Sequence, residues 1–329
     1  MLCAIALLAI LPAAASATKY APINRTGPKY QVPRADLKAS LDCTGKVRNA
    51  TRQPVLLLPA TGVDSEHNFE WNYERALGQE GIPYCTSDQQ GKLRSNMDDI
   101  QTRGEYVTFA IRAMHRMADR RIATLGHSQG GMITRWSLRF WPKTRRMVND
   151  VIGMAGSNHG SEGGDATCTN GCSAAFQQQN AGSKFIRALN SRQETFKRVS
   201  YTEIYTDNDQ VVVPPESSGV SGPGKITNVA IQDICPSDPE EHLGVGTSDA
   251  TAYALVLDAL GRPGPAKPAA IDTAVCAEPF MPGINESTYA TDTAESLAYL
   301  SNSIATYPKV DREPKLRCYT RLSCSGKSR

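Results

Sequence analysis

The chain has 329 residues, 40% of them in the apolar and aromatic set, and glycine brings that share to about 48%, ordinary for a globular protein. Basic and acidic residues nearly balance, 36 against 33, for a net charge of +3. This composition excludes a disordered or fibrous chain, and the charge gives no reason to expect nucleic acid or an anionic membrane as partner.

Residues 1–17, MLCAIALLAILPAAASA, carry no charge, contain an apolar run from Leu2 to Leu11 and end in Ala15-Ser16-Ala17. The run is too short to span a bilayer, and small residues before Thr18 suit signal-peptidase cleavage. A signal peptide and a secreted mature chain are therefore expected, with an N-terminal anchor helix as the alternative. Residues 18–54 are polar and irregular and read as an N-terminal arm over the surface. Val55-Leu56-Leu57-Leu58, ended by Pro59, fits a strand buried on both faces.

Across 104–119 the apolar positions Tyr106, Val107, Ala110, Ile111, Met114 and Met117 have helical spacing. Ile122 to Leu125 is strand-like, and Met132 to Phe140 reads as a helix stopped by Pro142. Further strands are expected at Val151 to Met154, Tyr201 to Tyr205 and Ile226 to Ile231. Strands alternating with helices imply a mostly parallel sheet with helices on both faces. The Pro- and Gly-rich stretch 261–268 reads as a surface loop rather than a linker. The 61 residues after it hold one clear helix, Ala294 to Ala305, and would struggle to bury a core alone. One α/β domain over 18–329 is expected, with 269–329 as a disulfide-bearing extension.

Removing Cys3 with the leader leaves eight cysteines: Cys43, Cys85, Cys168, Cys172, Cys235, Cys276, Cys318 and Cys324. Cys168 with Cys172, and Cys318 with Cys324, are close enough to close short loops. The nearest histidines have no ligand-like spacing, so disulfides are expected and no metal.

The chemistry lies in Gly126-His127-Ser128-Gln129-Gly130, a G-x-S-x-G elbow with a strand before it and a helix after it. The glycines at Gly126 and Gly130 relieve the tight turn that projects the Ser128 hydroxyl. A serine hydroxyl needs a base, and the order on such folds is Ser, then Asp or Glu, then His. His159 follows the serine too closely, His115 lies on the preceding helix, and His127 adjoins the nucleophile as a pocket-lining residue. His242 remains. The acid should end a strand, which points to Asp207-Asn208-Asp209; spacing does not choose between Asp207 and Asp209. A calcium loop is rejected there because Val212 stands where glycine is required. Asp233, Asp238, Glu240 and Glu241 read as a solvated loop. Oxyanion donors are expected from the backbone of Gln129 and from Thr61, in the loop after the first strong strand.

These residues carry a resemblance that covers most of the mature chain. LLLPATG (56–62), IPYC (82–85), HSQGGMITRW (127–136), FQQQNAGSKFIRALN (176–190), YTDNDQVVVPP (205–215), EHLG (241–244) and SCSG (323–326) resemble the Candida antarctica lipase B type of secreted α/β-hydrolase. The resemblance implies Ser128 as nucleophile, His242 as base, Asp209 rather than Asp207 as acid, and Thr61 with Gln129 as oxyanion donors. It also implies the pairs Cys43–Cys85, Cys235–Cys276 and Cys318–Cys324, with Cys168–Cys172 as an addition. Two departures stand out. His127 replaces the family's tryptophan before the nucleophile, and the helix at 294–305 is more polar than its counterpart.

The expectation is a secreted, monomeric α/β-hydrolase that cleaves carboxylic esters, most readily triacylglycerols, without a cofactor. Its partners would be a small-molecule or lipid ester and a lipid–water interface. The alternatives are a short-chain carboxylesterase, an acyltransferase, or a non-catalytic binding protein of the same fold. Residues 161–182, rich in small and polar residues, are the candidate lid.

Overall fold

The computed structural model describes residues 19–91, 94–163 and 168–324. The expected signal peptide and part of the SCSG segment lie outside these ranges. Seven strands form one sheet: β1 (Leu41–Cys43), β2 (Val55–Leu58), β3 (Tyr84–Ser87), β4 (Ile122–His127), β5 (Val148–Met154), β6 (Ser200–Tyr205) and β7 (Lys225–Ala230). Their order is β1-β3-β2-β4-β5-β6-β7, with β1 antiparallel to β3 and the remaining pairs parallel.

Around the sheet lie nine α-helices among the described residues: α1 (Arg34–Ala39), α2 (Tyr73–Gln79), α3 (Ile100–Ala118), α4 (Gln129–Phe140), α5 (Ala174–Gln179), α6 (Lys184–Leu189), α7 (His242–Val245), α8 (Ala250–Gly261) and α9 (Tyr289–Thr306). Side chains alternate across a strand, so β2 feeds two cores. Leu56 and Leu58 join Val107 and Ile111 of α3, Ile133 and Trp136 of α4, and Phe185 of α6. Val55 and Leu57 join Tyr73 and Leu77 of α2 and Leu255 and Val256 of α8. The result is the three-layer α/β-hydrolase architecture, which buries both faces of β2 and so explains its continuous apolar run.

The chain leaves β2 toward β3 but leaves β4 toward β5, so the strand order reverses between β2 and β4. Loops diverging from that point open a crevice at the carboxyl ends of the strands. Thr61 follows β2 and Ser128 follows β4, which puts both at this crevice.

The arm and the tail do more than run over the surface. Within 18–54, Leu37 and Val47 are buried, and β1 extends the sheet. Cys43 and Cys85 face each other in register and are bonded. Neither β1 nor β3 was expected, because three or four residues of mixed polarity leave no readable period. Disulfides also join Cys168 to Cys172, Cys235 to Cys276 and Cys318 to Cys324. In the tail, Tyr319 packs on Trp136, Phe140 and Trp141, closing the outer side of α4. Gly261 ends α8, and residues 262–267 form a loop pinned to the sheet through Ala266, bonded to Thr202 on β6 and Thr227 on β7.

Candidate active site

Ser128 stands between β4 and α4 with φ 54° and ψ −119°, the strained turn that lifts its side chain off the sheet. The turn is closed by backbone on both sides. A Cβ on Gly126 would meet the Gly130 carbonyl oxygen at 2.1 Å, and one on Gly130 would meet the Leu58 oxygen at 1.9 Å. No side chain larger than hydrogen fits either position.

His242 opens α7, and the Glu241 side chain caps that short helix by accepting from Leu243 N at 3.1 Å and Gly244 N at 3.2 Å. Glu241 is therefore part of the loop's scaffold, not a free solvated charge. His242 Nδ1 donates to Asp209 Oδ2 at 2.8 Å, with both side chains almost wholly buried. The other oxygen, Asp209 Oδ1, accepts from Val211 N and Val212 N, each at 2.8 Å. Asp207 is exposed, and its backbone N–H bonds Gln232. The structure thus brings Asp209, not Asp207, to His242. Ser128 and His242 line one cavity of about 340 Å³, together with Thr61, Phe176, Gln179, Val211 and Ile304. Among the described residues Ser128 Oγ has no hydrogen-bond partner, and contacts of this kind often tighten only when substrate binds.

Around Thr61, expected from the sequence to be an oxyanion donor, runs a relay of amides. Gln129 Nε2 donates to Thr61 Oγ1 at 2.9 Å and to Asn96 O at 3.0 Å. Gln179 Nε2 donates to the same Thr61 oxygen at 2.9 Å, and Gln179 Oε1 accepts from Ser157 Oγ at 2.8 Å. A hydroxyl has two lone pairs and one proton. Two N–H donors occupy both lone pairs of Thr61, so its proton is left to donate elsewhere. Behind this pair the fully buried Arg103 of α3 donates to Gln129 Oε1 and, at 2.6 Å, to Pro59 O. Burial lowers the Arg103 pKa to about 9, which still leaves it cationic at neutral pH.

A second cavity of about 160 Å³ adjoins the first, and Ala60, Thr61, Leu243 and Leu300 border both. His127 lines it. Burial, reinforced by the nearby His242, pushes the His127 pKa down to about 3, so the ring is neutral. Its Nε2 lies 3.0 Å from the His242 carbonyl, which can only accept, so that nitrogen carries the proton. His127 therefore braces the backbone of His242 as well as lining a pocket. Its spacing of one residue from Ser128 carries no sign of that contact.

Despite its polar composition, α9 turns Leu300 and Ile304 to the cavities. Stacking of Tyr299 on His67 at 3.8 Å and donation by Ser296 Oγ to His67 O at 2.7 Å hold the helix over the crevice. Asp64, Glu66 and His67 could jointly face a cation, yet Arg94 already bonds Asp64 at 2.6 Å and Glu66 at 3.0 Å. His159 lies apart, between Ser217 O and Glu194, and His115 bonds Arg120 O. Of the candidate lid, residues 164–167 lie outside the described ranges. Ser161, Phe176, Gln179 and Asn180 from that stretch form one wall of the larger cavity.

One buried carboxyl sits behind the elbow. Glu203 of β6 accepts from Asn158 Nδ2 at 3.0 Å, and burial raises its pKa to about 8. A carboxyl whose pKa rises on folding contributes stability in its neutral form, and that contribution fades as pH climbs from the ordinary carboxyl range toward 8. Glu203→Gln should therefore melt higher than the parent at pH 9 and differ little at pH 5. Thermal unfolding at the two pH values checks this, and a larger gain at pH 5 would contradict it.

Residues 84–251 match the family described as Lipase (class 2). Lipase B of Pseudozyma antarctica is 28% identical over 97% of this chain and 94% of its own length. The crystal structure of Aspergillus fumigatus lipase B superposes with a TM-score of 0.79 at 26% identity, covering 90% of this chain and 74% of that one. Lipase BlEst2 of Bacillus licheniformis, in its propeptide form, reaches a TM-score of 0.50 at 15% identity, over 73% of this chain and 54% of that one, a likeness of fold alone.

Proposed function

Because the chain belongs to the class 2 lipase family and is an ester hydrolase of the triacylglycerol lipase and carboxylesterase kind, we propose that it works through an acyl-enzyme on Ser128. His242 removes the Ser128 proton as the oxygen attacks the ester carbonyl, forming a tetrahedral oxyanion. Asp209 holds the imidazole by its Nδ1–H and stabilises the imidazolium. The backbone N–H groups of Thr61 and Gln129, with the Thr61 hydroxyl, receive the oxyanion. His242 then returns its proton to the departing alcohol, and a water molecule releases the acid by the same steps in reverse. No metal or cofactor enters this sequence. The buried Asp209–His242 hydrogen bond, opening onto the cavity that holds Ser128, carries the reading.

The substrate proposed is a lipid ester taken from a lipid–water interface. Four large apolar side chains are strongly exposed among the described residues: Val211, Leu297, Ile304 and Leu322. Three of them, Val211, Leu297 and Ile304, border the two cavities, with exposures of 42–47%. Apolar surface concentrated at a site's mouth is what an oil surface would cover. A short-chain carboxylesterase is the second reading, favoured by Ser157, Ser161, Gln179 and Asn180 in the same cavity wall. Four disulfides suit an oxidising compartment and support the proposal that the mature protein, a single domain starting at Thr18, is secreted.

Hydrolysis of p-nitrophenyl butyrate, octanoate and palmitate tests the substrate. Octanoate and palmitate should be cleaved within about tenfold of butyrate in kcat/KM, because a long apolar chain gains contact along Val211 and Ile304. Turnover confined to butyrate would replace the lipase reading with the esterase one.

A further inference from the structure

Among the described residues Arg103 is the one fully buried cation that touches both halves of the crevice, and nothing in the acyl-enzyme scheme uses it. It comes from α3, on the face of the sheet opposite α2 and α8, yet its two ends reach the loop after β2 and the first residue of α4. A guanidinium can only donate. Gln129 must therefore turn Oε1 to Arg103 and Nε2 to Thr61, an orientation that the Asn96 carbonyl reinforces from the other amide hydrogen. With Gln179 on the second lone pair, the Thr61 oxygen has no acceptor capacity left. The other arm of Arg103 holds Pro59 O, two residues before Thr61, and so ties that loop to the elbow.

We propose that Arg103 is a positioning residue for the oxyanion hole: it locks the Thr61 loop against Gln129 and directs the Thr61 hydroxyl proton into the cavity. Its effect runs through Thr61 and rests on the acyl-enzyme reading above. Without the guanidinium, Gln129 Oε1 loses its donor and can turn to accept from Thr61, which removes the hydroxyl from the oxyanion. The same loss frees Pro59 and lets the Thr61 backbone N–H drift. An oxyanion exists only in the transition state and intermediate, so the loss falls on kcat and spares KM.

The test is a double-mutant cycle on p-nitrophenyl octanoate with Arg103→Met, Thr61→Val and both together. Each single change should lower kcat by about 10–10²-fold with KM within about threefold, the scale of one lost or misplaced oxyanion donor. The double variant should be no more than about threefold slower than the slower single one, since both remove the same donor. Single losses that simply multiply would overturn the proposal, as would a folded Arg103→Met enzyme with unchanged kcat. Should Arg103→Met fail to fold, Arg103→Lys and Arg103→Gln carry the test. Lysine, which only donates, should keep kcat within about tenfold, while glutamine, which can also accept, should fall to the level expected for methionine. Equal rates for these two would also overturn it. Ser128→Ala in the same assay separates the two readings: residual turnover there would sink the acyl-enzyme and the relay with it, whereas unchanged kcat in Arg103→Met alone would sink only the relay.

Discussion

Ser128→Ala should lose about 10⁴–10⁶ of kcat, the range expected when the nucleophile of such a triad is removed. The substitution deletes a hydroxyl that holds no hydrogen bond among the described residues, at a position where alanine meets the same positive φ as serine. The fold should consequently survive, with an unchanged thermal transition. The parent should also label stoichiometrically with a fluorophosphonate, and the variant not at all. A Ser128→Ala protein that still turns over octanoate ester at more than about a hundredth of the parent rate would move the nucleophile elsewhere.

Asp209→Asn should cost about 10⁴ in kcat, although the two side chains are nearly isosteric. Val211 N and Val212 N both point at Oδ1, and only an oxygen can accept from them. The new amide must then present its NH₂ to His242 Nδ1. That forces the imidazole proton onto Nε2, the nitrogen that has to accept from Ser128. Asp207→Asn should change kcat/KM by no more than about threefold, since Asp207 is exposed and away from the imidazole. Parallel kinetics of the two variants decide the matter. Equal losses, or a larger loss at Asp207, would remove Asp209 from its proposed role.

The elbow was legible because its constraints are local. Backbone closes in on Gly126 and Gly130 from within a few residues and from the neighbouring β2, so glycine is written into the sequence at fixed offsets from Ser128. The β2 strand was legible for a related reason, since burial on both faces demands its unbroken apolar run. By contrast, β1 and β3 are held by register and by the Cys43–Cys85 bond, which leave no period to read. The helix α9 is polar in composition, yet it turns Leu297, Leu300 and Ile304 to the cavities, a facing its composition does not reveal.

By itself, then, the sequence determined an α/β sheet, an elbow serine and a cysteine set suited to an oxidising compartment, because periodicity and turn sterics act between near neighbours. The tertiary structure puts Asp209, not Asp207, against the imidazole of His242. It also decided that His127 braces the His242 carbonyl and that Arg103 reaches Pro59 and Gln129 together. The His127 and Arg103 contacts join residues 26 to 115 positions apart. No spacing rule governs such distances, since they are set by how helices dock on the sheet and not by any turn of the chain.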